Sequence, residues 1–194
     1  SAVFEIPMLC SKLKIGLLLT DYSPLKLYKR RLNQVLNQLS FPVYQVDTHN
    51  IIPVWKASDK KEFAAHTIRR KINLILNDYL NDIPSCIVHP YGNTKKNSIN
   101  WEKVIKDLIV DRSVKSIDWI IPGEKSALKK LMLFKKNIDG YNINRNDPTK
   151  NNLSNLSPYF HFGHISTQRV AYEIKRLNIL DHDKEAFLEE MIVR

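Results

Sequence analysis

Apolar and polar positions follow two distinct patterns in the first 46 residues. Residues 14–19 form a short, largely apolar run that is typical of a buried strand in a parallel sheet. From Leu25 to Leu39 the apolar residues recur every three or four positions, which predicts an amphipathic helix. Residues 43–46 then predict a second strand. A strand, a helix and a strand in this order indicate a βαβ unit, and therefore a parallel sheet covered by helices.

The rest of the chain shows helical periodicity and no strand pattern. Residues 48–58 have the composition of a loop, and residues 81–100, with two prolines and a glycine, are predicted to connect two domains over the surface. The pattern therefore predicts an α/β fold class that is followed by an all-α part. Helices are predicted over residues 60–80, 99–108, 122–137, 157–163, 166–177 and 183–193, and a polar loop over residues 139–152.

The charge of the chain favours a polyanionic partner. Thirty lysines and arginines against twenty aspartates and glutamates give a formal net charge of +10, and each basic side chain that meets a phosphate releases counterions. The excess is spread along the chain, with +7 in residues 1–120 and +3 in residues 121–194. The basic run Arg69, Arg70 and Lys71 lies on a predicted helix and is interpreted as a solvated face.

Several other functional classes find no support in the residues. No apolar run approaches the roughly 20 residues that span a bilayer. Cys10 and Cys86 are isolated and are interpreted as free thiols in a reducing compartment. His161 and His164 lie three apart, but no third ligand has suitable spacing, so no metal site is predicted. No nucleophile–base pair or paired carboxylate is evident, which suits a reaction carried by a cofactor.

Residues 153–163, Leu-Ser-Asn-Leu-Ser-Pro-Tyr-Phe-His-Phe-Gly, have the composition of a helix start. Pro158 suits the first helical position, and Ser157 before it is predicted to cap the free amides of the opening turn. Those amides, the hydroxyls of Ser154 and Ser157 and the side chain of Asn155 can together surround a phosphate. A phosphate-bearing cofactor or a nucleic-acid backbone fits this pattern, and so does an ordinary capped helix without a ligand.

Arg145 is the strongest candidate for contact with DNA. It lies between Asn144 and Asn146 in the polar loop, where a guanidinium can make paired hydrogen bonds to a phosphate. The residues equally allow an ion pair with Asp147 or another acid. Lys150, in the same loop, is a second candidate with a weaker case, because most loop lysines are solvated.

Several segments resemble one protein family and follow each other in the order of that family. Residues 144–150, Asn-Arg-Asn-Asp-Pro-Thr-Lys, and residues 153–169 resemble the start of the flavin-binding domain of class II cyclobutane pyrimidine dimer photolyases. The resemblance is weakest between residues 81 and 118. Because members of that family are more than twice as long, the chain is expected to be an internal fragment. Further segments that carry the resemblance are residues 18–25, 46–55, 64–72 and 186–194.

The resemblance implies that FAD is the cofactor and that UV-damaged DNA containing pyrimidine dimers is the partner. Under light, reduced FAD passes an electron to the dimer, and the protein positions the cofactor and the DNA. In this chain the resemblance implies that Arg145 helps to hold the DNA, that no catalytic residue is present, and that the full-length protein is a monomer. It leaves the identity of any antenna pigment open. The residues implied to contact FAD are Tyr141, Leu153, Ser154, Asn155, Leu156 and Ser157.

The resemblance also divides the chain into three parts. Residues 1–58 correspond to the end of the α/β photolyase domain, residues 59–122 to an interdomain helix and connector, and residues 123–194 to the start of the helical FAD-binding domain. The residues expected to be partly uncovered, because further helices should cover them, are Leu156, Phe160 and Met191. The tryptophans interpreted as packing in the core or between domains are Trp55, Trp101 and Trp119.

Two other functions are compatible with the residues. A cryptochrome-type flavin photoreceptor shares the photolyase fold but signals instead of repairing DNA. A basic DNA-binding module without a flavin predicts salt-sensitive DNA affinity with no preference for damage. For a DNA repair protein in which no targeting segment is evident, a nuclear or cytoplasmic location is expected.

Overall fold

The first part of the chain folds into a two-stranded parallel sheet with helices beside it. The computed structural model of the protein describes residues 1–85, 87–88 and 98–194. Leu18 pairs with Val43 and Asp21 pairs with Val46, in parallel register. The predicted βαβ unit is therefore confirmed. Its elements and the helix before them are α1 (Ala2–Leu13), β1 (Leu18–Asp21), α2 (Lys26–Leu36) and β2 (Val43–Val46).

Helix α1 was not predicted, and it displaces the first strand. The helix ends at Lys14, whose left-handed backbone (φ 53°, ψ 48°) turns the chain, and the amide of Ile15 then donates to the carbonyl of Cys10. The strand predicted over residues 14–19 therefore begins only at Leu18. Pro7 lies inside α1. Because proline lacks a backbone N–H and is disfavoured inside helices, the sequence around it does not predict a helix.

The second part of the chain is helical, which confirms the predicted fold class. After β2 no further strand occurs within residues 47–85, 87–88 and 98–194. The predicted polar loop 139–152 contains a short helix, and much of the predicted connector 81–100 lies outside the described residues. None of the described helices has the length and hydropathy needed to cross a bilayer. The helices are α3 (Val54–Ala57), α4 (Ala65–Tyr79), α5 (Trp101–Asp107), α6 (Glu124–Lys136), α7 (Tyr141–Asn144), α8 (Ser157–His161), α9 (Thr167–Lys175) and α10 (Asp181–Ile192).

Two hydrophobic clusters hold the helical part together. The main core gathers buried side chains from α6 to α10 around the aromatic rings of Phe134, Tyr141 and Phe187. The second core joins the segment from Ile51 to Leu80 to α9 and α10. Leu156 is fully buried in the main core, so the prediction that it would be partly uncovered is wrong, whereas Phe160 and Met191 are partly buried. Trp101 and Trp119, expected to pack in the core or between domains, are instead 64% and 68% exposed.

Arg69 and Lys71, two of the three residues of the basic run on α4, are paired, whereas Arg70 is exposed. The Nε of Arg69 donates to both carboxylate oxygens of Glu189 on α10, each at 2.9 Å. Lys71 donates to Glu62 at 2.7 Å and to Ser58 at 2.9 Å. The interpretation of Arg69 and Lys71 as a solvated face is therefore wrong, because their partners lie on segments that are distant in sequence or folded back onto the helix.

The Lys71–Glu62 pair makes the stability of the protein sensitive to acid. Hydrogen bonds from Lys71 and Ser58 lower the pKa of Glu62 to about 2. This folded pKa lies below the pKa of a glutamate in the unfolded chain, ~4.3. The ionised carboxylate therefore stabilises the folded protein fully at pH values above the unfolded pKa. That stabilisation is lost as the pH falls through the folded pKa. We expect Lys71→Met to lower stability at neutral pH and to move the acid-unfolding midpoint to higher pH, as followed by circular dichroism.

The matched control is Lys61→Met, because Lys61 is an exposed lysine beside Glu62. This variant should leave the acid midpoint near that of the unmodified protein. An acid midpoint that Lys71→Met does not move would contradict the role of the pair.

Candidate functional site

The segment from Leu153 to Ser157 presents small polar groups at the surface above the main core. The Oγ of Ser154 accepts the amide of Leu156 at 3.4 Å. Asn155 adopts a left-handed backbone with φ of 52°, which asparagine tolerates better than most residues. Leu153 and Ser157 are exposed, whereas the side chain of Leu156 is fully buried. Leu156 therefore anchors the segment on the core, and its neighbours face outward.

The predicted capping of a helix by Ser157 is wrong. Ser157 is itself the first residue of α8, Leu156 occupies the cap position, and the α8 cap has no side-chain hydrogen bond. Helix α8 has only five residues, so its dipole is smaller than that of a longer helix. The polar character of the segment therefore rests on the side chains of Ser154, Asn155 and Ser157 rather than on a strong helix terminus.

A cleft of about 190 Å³ opens beside this segment. Its polar groups are hydroxyl, amide and one ammonium group, a set that suits phosphate and sugar oxygens. It is smaller than the roughly 300–1,000 Å³ of a complete ligand pocket, so it can hold one part of a large cofactor. The polar residues that line it are Lys130, Asn137, Asn151, Asn152, Ser154 and Asn155.

Sequence reasoning missed Lys130 and Asn137. Both lie toward the cleft at a spacing of seven residues, which places them two turns apart on one side of α6. Leu133 and Phe134 lie between them and also line the cleft. The signal that could have identified Lys130 and Asn137 is their position in line with the apolar residues Leu133 and Phe134 on the same side of the helix.

Tyr141 lies inside the main core. Its ring packs edge-on against Phe134, with centroids 5.7 Å apart, and against Phe187 at 5.5 Å. Burial raises the pKa of its hydroxyl, and the positive charge of Arg145 offsets part of that effect. Packing therefore accounts for Tyr141 in this structure, and its contact with FAD stays a prediction.

Arg145 makes an ion pair, which was one of the two interpretations left open by the residues. Its Nη1 lies 2.5 Å from a carboxylate oxygen of Glu190 on α10, and its side chain is 20% exposed. The hydrogen bond that Arg145 donates to Glu190 raises the pKa of the Arg145 guanidinium. Asp147, the neighbouring acid, instead accepts the amide and hydroxyl of Thr149 at 2.9 and 2.6 Å. Lys150 is exposed.

The structure joins the turn before Tyr141 to the candidate cofactor segment. The Nδ2 of Asn152 donates to the carbonyl of Asp139 at 3.3 Å. Asn152 also lines the cleft beside Ser154. The two groups of residues singled out from the sequence are therefore neighbours on one side of the helical part.

Comparison with known proteins shows which family the chain is similar to. Residues 1–89 match the family model described as DNA photolyase. A deoxyribodipyrimidine photo-lyase from Oryza sativa subsp. japonica is 40% identical, over 98% of this chain and 40% of that protein. One from Potorous tridactylus is 41% identical, over 93% of this chain and 35% of that protein. The chain is similar to the DNA photolyase family over nearly its whole length.

The fold of the chain is also similar to that of a photolyase. A crystal structure of a bacterial class III photolyase from Agrobacterium tumefaciens superposes with a TM-score of 0.64 at 20% identity, over 98% of this chain and 42% of that one. The chain spans about two-fifths of the length of the photolyase family members it matches. The domain boundaries at residues 58 and 122 stay predictions.

The turn before Tyr141 requires glycine at position 140. Gly140 has φ of 76°, and a Cβ added there would lie 2.9 Å from the Nδ2 of Asn144. We therefore expect Gly140→Ala to lower the free energy of unfolding by about 1–2 kcal/mol, the usual cost of a left-handed backbone at a residue with a side chain. Denaturant unfolding followed by circular dichroism measures the loss.

Gly16→Ala is the control for this change. Gly16 has no neighbouring atom within 4 Å of an added Cβ and no positive φ. Its substitution should change stability by less than about 0.5 kcal/mol. Equal losses for the two variants would contradict the strain at position 140.

Proposed function

We propose that the protein to which this chain belongs is a deoxyribodipyrimidine photo-lyase that repairs cyclobutane pyrimidine dimers with FAD and light. The observation that carries the proposal is the 40–41% identity to two proteins of that name over 93–98% of the chain. The finer assignment to pyrimidine dimers rests on the class II pattern of residues 144–169.

The residues around the cleft support the binding of FAD at this place. Ser154, Asn155 and Lys130, which carry a hydroxyl, an amide and an ammonium group, line a cleft large enough for phosphate groups. These groups would hold the phosphates and the ribityl chain, while the core beneath keeps the segment rigid. When bound, reduced FAD supplies the light-driven electron that opens the cyclobutane ring.

The charge of the chain supports a DNA partner. The net charge of +10 favours contact with phosphates. Lys150 is exposed and free to reach a phosphate, whereas Arg145 is held in one orientation by Glu190. We assign DNA contacts to both residues. A damaged base pair stacks poorly, which lowers the cost of turning the dimer out of the helix toward the flavin.

The test of this function uses the protein with its natural full-length sequence. We expect it to retain FAD after purification and to remove dimers from an oligonucleotide under blue light but not in the dark. High-performance liquid chromatography of the digested oligonucleotide measures dimer loss. Bound flavin without repair would favour a cryptochrome-type photoreceptor, and DNA binding without any flavin would favour a basic DNA-binding module.

A pair of adjacent lysines tests the position of the cofactor. We expect Lys130→Gln to weaken FAD binding by about tenfold or more, since a hydrogen bond to a charged group contributes about 1.5–3 kcal/mol. Titration of the flavin-free full-length protein with FAD, followed by quenching of flavin fluorescence, measures the change. Lys129→Gln is the control, because Lys129 is exposed on a different side of α6. Equal affinities for the two variants would place the cofactor elsewhere.

A further inference from the structure

Helix α10 directs three side chains at the segment that contains Tyr141 and Arg145. Asp183, Phe187 and Glu190 lie at positions i, i+4 and i+7, so they share one face of the helix. Phe187 packs on the ring of Tyr141, and Glu190 pairs with Arg145. Asp183 binds the backbone at the start of the same segment, so this single face of α10 contacts α7 along its whole length.

Asp183 is a buried carboxylate whose two oxygens have separate partners. Its side chain has no exposed surface. Oδ2 accepts the amide of Gly140 at 2.9 Å, and Oδ1 accepts the amide of Asn142 at 2.8 Å. Within the described residues, the ion-pair contact recorded for Asp183 is His182, whose Nε2 lies 3.6 Å from Oδ2. A buried charge is costly unless it is hydrogen-bonded, so these two amides are what stabilise it.

The two amides that Asp183 binds lie on either side of Tyr141. Gly140 has its left-handed backbone here, and the chain enters α7 directly afterward. Fixing the amides of residues 140 and 142 fixes the 139–140 and 141–142 peptide planes, and therefore the place at which the Tyr141 side chain leaves the backbone. Because α7 is a single turn, the same contact also sets where Arg145 begins.

We infer that Asp183 is a positioning residue for the cofactor and DNA contacts of this chain. It acts through the backbone of the turn from Asp139 to Asn142, and Asn152, which donates to the carbonyl of Asp139, links that turn to the cleft beside Ser154. The inference rests on the proposed function, since it concerns the site that would hold FAD. Asp183 itself has no exposed surface, so it acts only through the turn.

A carboxylate is needed for this task because both partners are donors. An asparagine of the same shape has one oxygen, and its NH₂ group would face one of the two amides. Asp183→Asn therefore releases one side of the turn while leaving the volume of the core unchanged. Glu185→Gln makes the same chemical change at an exposed position of α10 and controls for the loss of a negative charge.

The experiment compares FAD affinity in the full-length protein carrying Asp183→Asn, Glu185→Gln or Ile174→Val. Ile174 is fully buried in α9, so its variant controls for a loss of core stability away from the turn. We expect Asp183→Asn to raise the Kd for FAD by about tenfold and to change the visible circular dichroism of the bound flavin, and both controls to stay within about twofold. An affinity and a flavin spectrum like those of Ile174→Val would overturn the inference.

A measurement on the unmodified protein covers the case in which Asp183→Asn does not fold. Amide hydrogen exchange of residues 138–144 is followed by mass spectrometry with and without FAD. If Asp183 holds the turn, these amides are protected before FAD is added; protection that appears only with FAD would mean that the cofactor orders the turn, and would overturn the inference. If the unmodified protein takes up no FAD at all, the proposed function fails, a result that differs from a failure confined to Asp183.

Discussion

The helical part of the protein depends on one constraint, which is that α10 must satisfy two hydrophobic cores and a buried charge at the same time. Leu188 and Met191 contact both cores. Phe187, directly before Leu188, completes the aromatic cluster of the main core, and Asp183, one turn earlier, is buried without any exposed surface. A rotation of α10 that improved one of these contacts would break the others. Helix α10 therefore has one orientation, and that orientation fixes the position of the turn at Gly140, which Asp183 binds.

The acids of α10 also determine which basic groups near the site are available to a polyanion. Glu189 pairs with Arg69, and Glu190 pairs with Arg145. Both guanidinium groups therefore serve the attachment of α10 as well as contributing positive charge. The lysines at positions 130 and 150 carry no such pair among the contacts of the described residues. Cofactor and DNA phosphates would thus meet flexible ammonium groups first, on a framework made rigid by arginine pairs.

The local parts of the fold could be predicted from the sequence, and the contacts between distant residues could not. The hydrophobic periodicity predicted α2, α4, α6, α9 and α10 and the strand β2, because that pattern is a property of neighbouring residues. Helix α1 was missed because Pro7 interrupts its pattern. The pairing of Arg69 was missed for a different reason, since its acid lies 120 residues away.

The candidate site shows the same division between local and distant information. The run from Leu153 to Ser157 was singled out from its residue types, and Tyr141 only from the resemblance to the photolyase family. The cleft needed α6 beside that run, because Lys130 and Asn137 become its walls only when the main core closes. The sequence left open whether Arg145 forms an ion pair with Asp147 or with another acid. The packing of α10 places Glu190 beside Arg145, and Glu190 is the partner.

The amino-acid sequence by itself determined the fold class, the order of most helices and the resemblance to the photolyase family, because periodicity and motifs are carried by residues close together in the chain. Only the tertiary structure decided which carboxylate holds which base, that Leu156 lies in the core, and that Asp183 binds the turn at Gly140. The physical reason is that a buried charge or side chain takes its partner from whatever the packed helices bring within hydrogen-bond distance. Which residues lie within that distance cannot be read from their positions in the sequence.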